Sequence, residues 1–192
     1  MKFIGALLAL VGLAAIAAVG YAAWTFRDFD PKAAGVYWNM AQRLAETGNA
    51  VEATVWKRKV DEGLSYEEVE ESIQSVAATE NIRDVGSLPL GDQVTLMREE
   101  TGEGPWRKLG IYLYCNPLTA AKMVDYSEAY SAWLPCRVAL VEDEEGALWL
   151  YSLDMDMMIY GGKPLPDDLK AEALDVKDKI LAILDGAAEG SF

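Results

Sequence analysis

The sequence contains no histidine and only two cysteines in 192 residues. Without imidazole there is no Ser-His-Asp or Cys-His nucleophile pair, no imidazole general base and no histidine-rich zinc site. A haem would have to take Met, Cys or Tyr as its axial ligand. Basic residues are scarce as well: 17 Lys and Arg stand against 31 Asp and Glu, a net charge of −14. Such a surface repels phosphate backbones and argues against nucleic acid as a partner. No carboxylate pair stands out as an acid–base dyad, and Gly161-Gly162-Lys163 lacks the spacing of a phosphate-binding loop. The acidic runs Glu67-Glu68, Glu70-Glu71 and Glu142–Glu145 read as solvated faces and a turn. The chain also lacks internal repeats, low-complexity segments and a second domain.

Charge is nearly missing from the first 26 residues, where Lys2 is the only charged side chain. Residues 3–24 form an uncharged apolar run long enough for a helix to cross a hydrocarbon core of roughly 30 Å. Trp24 and Phe26 follow it at the position where interfacial aromatics are favoured. The reading is a transmembrane anchor over 1–26, embedded in the bilayer through residues 3–24, with its N-terminus inside. Arg27 and Lys32 on the far side weaken that charge bias. A cleaved signal peptide is the rival, with small residues at Ala18-Val19-Gly20 and Gly20-Tyr21-Ala22. The run exceeds a usual signal core of roughly 7–15 residues, which favours the anchor. Either way the remainder is exported, in a bacterium from the inner membrane to the periplasmic side. Ala14, Ala18 and Ala22, with Gly12 and Gly20 nearby, give a face that a second membrane helix could approach closely. Plain alanine richness explains the same pattern.

Residues 27–50 read as a juxtamembrane helix. Asp30-Pro31 supplies its cap and first position, Gly48 its stop, and Val36, Tyr37, Met40, Ala41 and Leu44 its apolar face. Residues 51–186 read as one α+β domain, with a small antiparallel or mixed sheet and helices packed on one face. Its strands are expected over Val51–Val60, around Ile82–Leu88, over Leu109–Tyr114, and in a hairpin of Cys136–Val141 and Ala147–Leu153. Ser65-Tyr66-Glu67-Glu68 fits a capping box opening a helix with Val69, Ile73 and Val76 buried. Asp92 opens a short helix to about Glu100. Asn116 caps another, with Ala120, Ala121, Met123 and Val124 supplying apolar faces. Residues from Pro166 to about Leu184 close the domain, with Leu169, Ala173, Val176, Ile180 and Ile183 at helical spacing. Residues 187–192 read as a frayed tail.

The two cysteines are the candidate site. Cys115 stands at a strand end, before the helix that Asn116 caps, where amide dipoles would stabilise a thiolate. Cys136 precedes Arg137, whose guanidinium would do the same. Three readings stand. One is a structural disulfide closing a loop of about 20 residues, worth roughly 3 kcal/mol. Another is a redox-active or sulfur-carrying thiol pair. A third is a soft-metal site for Cu(I), helped by the thioethers of Met155, Met157 and Met158. The methionines, with Trp133, form a candidate pocket floor and wall, although methionines equally fill irregular cores. No metal site is assigned outright, and the cofactor is unknown.

The stretch Tyr114-Cys115-Asn116-Pro117-Leu118-Thr119-Ala120-Ala121, followed by Leu134-Pro135-Cys136-Arg137-Val138 and Leu148-Trp149-Leu150-Tyr151-Ser152-Leu153, resembles the bacterial family of domain of unknown function 302. The likeness runs from about Val51 to Leu184. It implies a small α+β domain, expected to form homodimers, in a sulfur-oxidising or respiratory setting. That family carries no agreed activity, so only Cys115 and Cys136 transfer, as motif positions. The expectation is a membrane-anchored accessory protein with a redox or sulfur-handling role through its cysteines. Its rivals are a non-catalytic assembly subunit of a membrane complex with a structural disulfide, and a Cu(I) or haem binder.

Overall fold

A computed structural model describes residues 2–191; Met1 and Phe192, the first residue of the expected anchor and the last of the expected tail, lie outside them. The first element is the helix α1, Lys2–Thr25. Within it, Phe3–Thr25 is long and apolar enough to cross a membrane, and none of its best window is buried against protein. The helix α2, Ala33–Thr47, ends at Gly48, whose φ of 66° places it in the left-handed region that glycine adopts freely. Its amide closes the helix on the Leu44 carbonyl at 2.9 Å.

Five strands follow: β1 (Val55–Lys59), β2 (Arg83–Leu88), β3 (Leu109–Cys115), β4 (Cys136–Glu142) and β5 (Leu148–Leu153). They form one open antiparallel sheet in the order β1-β5-β4-β3-β2. The fold is α+β. Between the strands lie α3 (Tyr66–Thr79), α4 (Leu90–Glu100) and α5 (Pro117–Tyr126); the short α6 (Asp156–Tyr160) and the closing α7 (Asp167–Ala188) follow β5. Tyr112, Tyr114, Cys136, Val138, Leu140 and Leu150 point from the sheet into the core. They meet Val69, Ile73 and Ala77 of α3 and the stripe Leu169, Ala173, Val176, Ile180, Ile183 and Leu184 of α7. Each large aliphatic buried this way contributes roughly 1.5–3 kcal/mol, so α7 is the largest single contributor to the core. The opposite sheet face carries Ile111, Leu113, Ala139, Val141, Trp149 and Tyr151, all half-buried.

Local chemistry accounts for most boundaries. Ser65 and Glu68 form the full capping box of α3. The Glu142–Gly146 turn closes the β4–β5 hairpin, with Asp143 accepting the Glu145 and Ala147 amides. The helix α4 enters against the start of β3: a Cβ on Gly91 would sit 2.6 Å from the Leu109 amide nitrogen and 2.7 Å from the Arg107 carbonyl oxygen.

Three expectations need correction. Residues Val51–Thr54 are not strand. Asn49 Oδ1 accepts the Val51 amide at 2.9 Å and Thr54 Oγ1 donates to the Val51 carbonyl at 2.9 Å, curling Glu52–Thr54 into a 3₁₀ turn. Asp30 does not cap α2, which starts at Ala33. Its buried carboxylate instead takes the Lys32 amide at 2.9 Å and the Lys170 ammonium, tying the linker to α7. The tail is not frayed through residue 191: α7 continues to Ala188, Ala187 and Ala188 are buried, and the Ser191 carbonyl accepts from the buried Ser72 hydroxyl.

Candidate functional site

The site grows out of the adjoining ends of β3 and β4. The β3 strand stops at Cys115 because Pro117 has no amide hydrogen for the ladder and suits the first turn of a helix. Asn116 caps that helix, its Oδ1 accepting the Leu118 and Thr119 amides at 3.2 and 3.4 Å. The β4 strand starts at Cys136 after a cis Leu134–Pro135 peptide. Antiparallel pairing sets Tyr114 opposite Cys136, so the chain's two cysteines come to the same end of neighbouring strands. Both are free thiols, Cys115 half-buried and Cys136 buried.

They line one cavity of about 20 Å³ together with Met123, Met155, Met158 and Leu134. Ala173 and Val176 of α7 close its far side. The expectation of low thiol pKa values is overturned. Burial pushes the Cys115 thiol up from its ordinary value. The Cys136 thiol is pushed up to about 11, by burial first and by the neighbouring Cys115 second, and Arg137 only partly offsets this. The physical reasons are local. Asn116 itself consumes the free amides of the α5 N-terminus, and Arg137 is an exposed residue facing solvent. The thiols sit among apolar groups that solvate no charge.

The predicted pocket residues divide into two groups. Met155 and Met158 line the same cavity as the cysteines. Trp133 and Met157 do not. They line a separate open depression of about 660 Å³ with Tyr126, Tyr130 and Lys163, and Met158 alone borders both spaces. Cys115 is likewise a boundary residue. Its outer side borders a polar cleft of about 200 Å³ that includes Arg83, Asn116, Asp175 and Lys179. Met123 lines the thiol cavity as well as serving α5 as an apolar residue, and Arg83 and Lys179 line the outer cleft without having been candidate site residues. Met123 had a signal: it lies four residues beyond Thr119, on the same helical face. Arg83 had none, because only the β2–β3 register sets it beside Cys115.

An α+β domain with an open five-stranded antiparallel sheet and two free thiols at one end defines the class. The chain belongs to the family of domain of unknown function DUF302, whose model matches residues 56–187. Its fold is similar to the crystal structure of an uncharacterised conserved DUF302 protein from Bacillus stearothermophilus. The two are 20% identical with a TM-score of 0.52, over 70% of this chain and 98% of that one. No curated protein matches the sequence.

Proposed function

We propose that this chain is a membrane-anchored accessory protein of the bacterial inner membrane, with its α+β domain on the periplasmic side. Its role is redox or sulfur handling through Cys115 and Cys136. One observation carries the reading: the only two thiols of the sequence, contributed by separate strands, line the same small cavity. Apolar helix α1 supports the tether through residues 3–24. The acidic surface leaves nucleic acid out of account. A membrane-protein partner against the small-residue face of α1, or a second copy of the domain, belongs to the same proposal.

The chemistry that suits the geometry is thiol–disulfide exchange. Half-buried Cys115, bordering the polar cleft, attacks a disulfide R–S–S–R′ as its thiolate and releases one thiol. Cys136 then displaces the second from the mixed disulfide. Two thiols of the protein become one disulfide, and R–S–S–R′ becomes two thiols, with protons conserved. The high thiol pKa values make the pair a slow nucleophile at neutral pH. That favours a carrier or sensor over a rapid oxidoreductase.

A second reading is a non-catalytic assembly subunit whose cysteines bond for stability alone; the deep burial of Cys136 supports it. A haem finds no room in the cavity at the cysteines. Intact mass of the full chain in detergent, followed through a glutathione redox titration, discriminates the readings. The proposal expects reversible loss and regain of two hydrogens. A bond that forms once and resists mild reductant, or thiols that never oxidise, would count against it.

A further inference from the structure

The question left by the thiol cavity is what fits inside it, and the answer rests on the cavity's size and lining. At about 20 Å³ it exceeds a single water-sized sphere only slightly. A guest held wholly inside is therefore small, about the size of one atom. Water is a poor guest, because a buried water needs two to four polar partners. Two oxygens at the rim are committed elsewhere: Asn116 Oδ1 accepts the two α5 amides, and Thr119 Oγ1 donates to Glu172 at 3.1 Å. What the lining offers is sulfur, from Cys115, Cys136, Met123, Met155 and Met158, carried on β3, β4, α5 and the segment at α6.

Thiolates and thioethers are soft donors that select Cu(I) over hard divalent cations. Among the described residues no three carboxylate or thiol side chains cluster as a hard or borderline metal site. We propose that this cavity binds a single soft monovalent cation, Cu(I), between Cys115, Cys136 and the thioethers of Met155 and Met158.

The charge balance fits an apolar lining. Entry of Cu⁺ with loss of one thiol proton, Cu⁺ + RSH → CuSR + H⁺, gives a neutral unit and involves no electron transfer. The second thiol and the thioethers then add donors without adding charge, so no net charge is buried. The proton has an exit at Cys115, the only one of the four donors that also borders the outer polar cleft. The assignment shares its cysteines with the proposed function, yet the two stand or fall separately. Reversible oxidation can fail while copper binds, and copper can fail to bind a pair that cycles.

The test is anaerobic competition for Cu(I) between the reduced full chain in detergent and a chromophoric Cu(I) chelator, with Zn²⁺ as the control ion. One Cu(I) per chain is expected, with a near-ultraviolet thiolate-to-copper absorption that Zn²⁺ does not produce. Cys115→Ser and Cys136→Ser should each weaken binding, and removing both cysteines should abolish that band. The volume-conserving double variant Met155→Leu/Met158→Leu should keep the fold and weaken binding by about tenfold or more. Failure to retain stoichiometric Cu(I) against the chelator overturns the assignment. So does Cu(I) held as tightly by the Met-to-Leu variant as by the parent, or by a variant lacking both cysteines.

Discussion

Tyr114 stands directly across from Cys136 in the β3–β4 register, and its hydroxyl, wholly buried, has no hydrogen-bond partner among the described residues. Burial raises the Tyr114 pKa, with the Asp84 carboxylate adding to the effect, so the group stays neutral. An unpaired buried hydroxyl costs roughly 1–3 kcal/mol. Tyr114→Phe is therefore expected to stabilise the domain by about 1 kcal/mol, read as a higher urea midpoint at unchanged slope. A loss of stability would mean that the hydroxyl has a partner in solution.

The thiols should differ in reactivity. Cys115 is expected to alkylate first in the native protein, and Cys136 to react slowly at neutral pH, with denaturant removing the difference. The pH dependence has a definite sign. A thiol whose pKa is raised by folding holds its proton more tightly in the native state. Its contribution to stability is present below the unfolded value of roughly 8.5 and is lost as pH rises toward about 11. Chemical denaturation at several pH values should show stability declining across that alkaline window, and Cys136→Ala should flatten the decline.

The Asp30–Lys170 pair makes the opposite prediction at low pH. The Lys170 ammonium, followed by the Lys32 amide, lowers the Asp30 pKa against the effect of burial. A lowered carboxylate stabilises above its unfolded value of roughly 3.9, and that contribution is lost as pH falls through the lower folded value. Asp30→Asn should destabilise by about 1–3 kcal/mol at neutral pH, since it leaves a half-buried ammonium without its partner. It should also soften the acid limb of a thermal-melting profile. Equal acid sensitivity in parent and variant would remove Asp30 from the account.

Gly91 tests the docking of α4 on β3. A methyl group there meets backbone atoms of residues 107–109, which cannot rotate aside as a side chain would. Gly91→Ala is expected to cost about 1–3 kcal/mol, although alanine is the better helix former. Thermal melts of the two proteins check the sign.

Much of this arrangement was legible in the residues themselves. Cys115-Asn116-Pro117 announces a strand end and a capped helix in three letters. The acidic turn ending at Gly146 announces a hairpin. The stripe from Leu169 to Ile183 announces the helix that covers the core. Each is a local signal, decided within one or two turns of chain. The failures came where local patterns are ambiguous or overruled. Val51, Ala53 and Val55 alternate like a strand, but Asn49 and Thr54 bond to the neighbouring backbone first. Asp30-Pro31 looks like a helix start, but Lys170, 140 residues further on, claims the carboxylate. At the site, the motif set both thiols at strand ends, and the helix dipole suggested the wrong pKa direction, because a dipole argument cannot see burial. Trp133 and Met157 lie close in sequence to Cys136 and Met158 yet face a different depression, a distinction that needs coordinates.

The helix that closes the thiol cavity is encoded well after both cysteines. Ala173 and Val176 leave the ribosome nearly forty residues behind Cys136. Until α7 docks, both thiols therefore lack the side chains that close their cavity. They become shielded only when α7 docks.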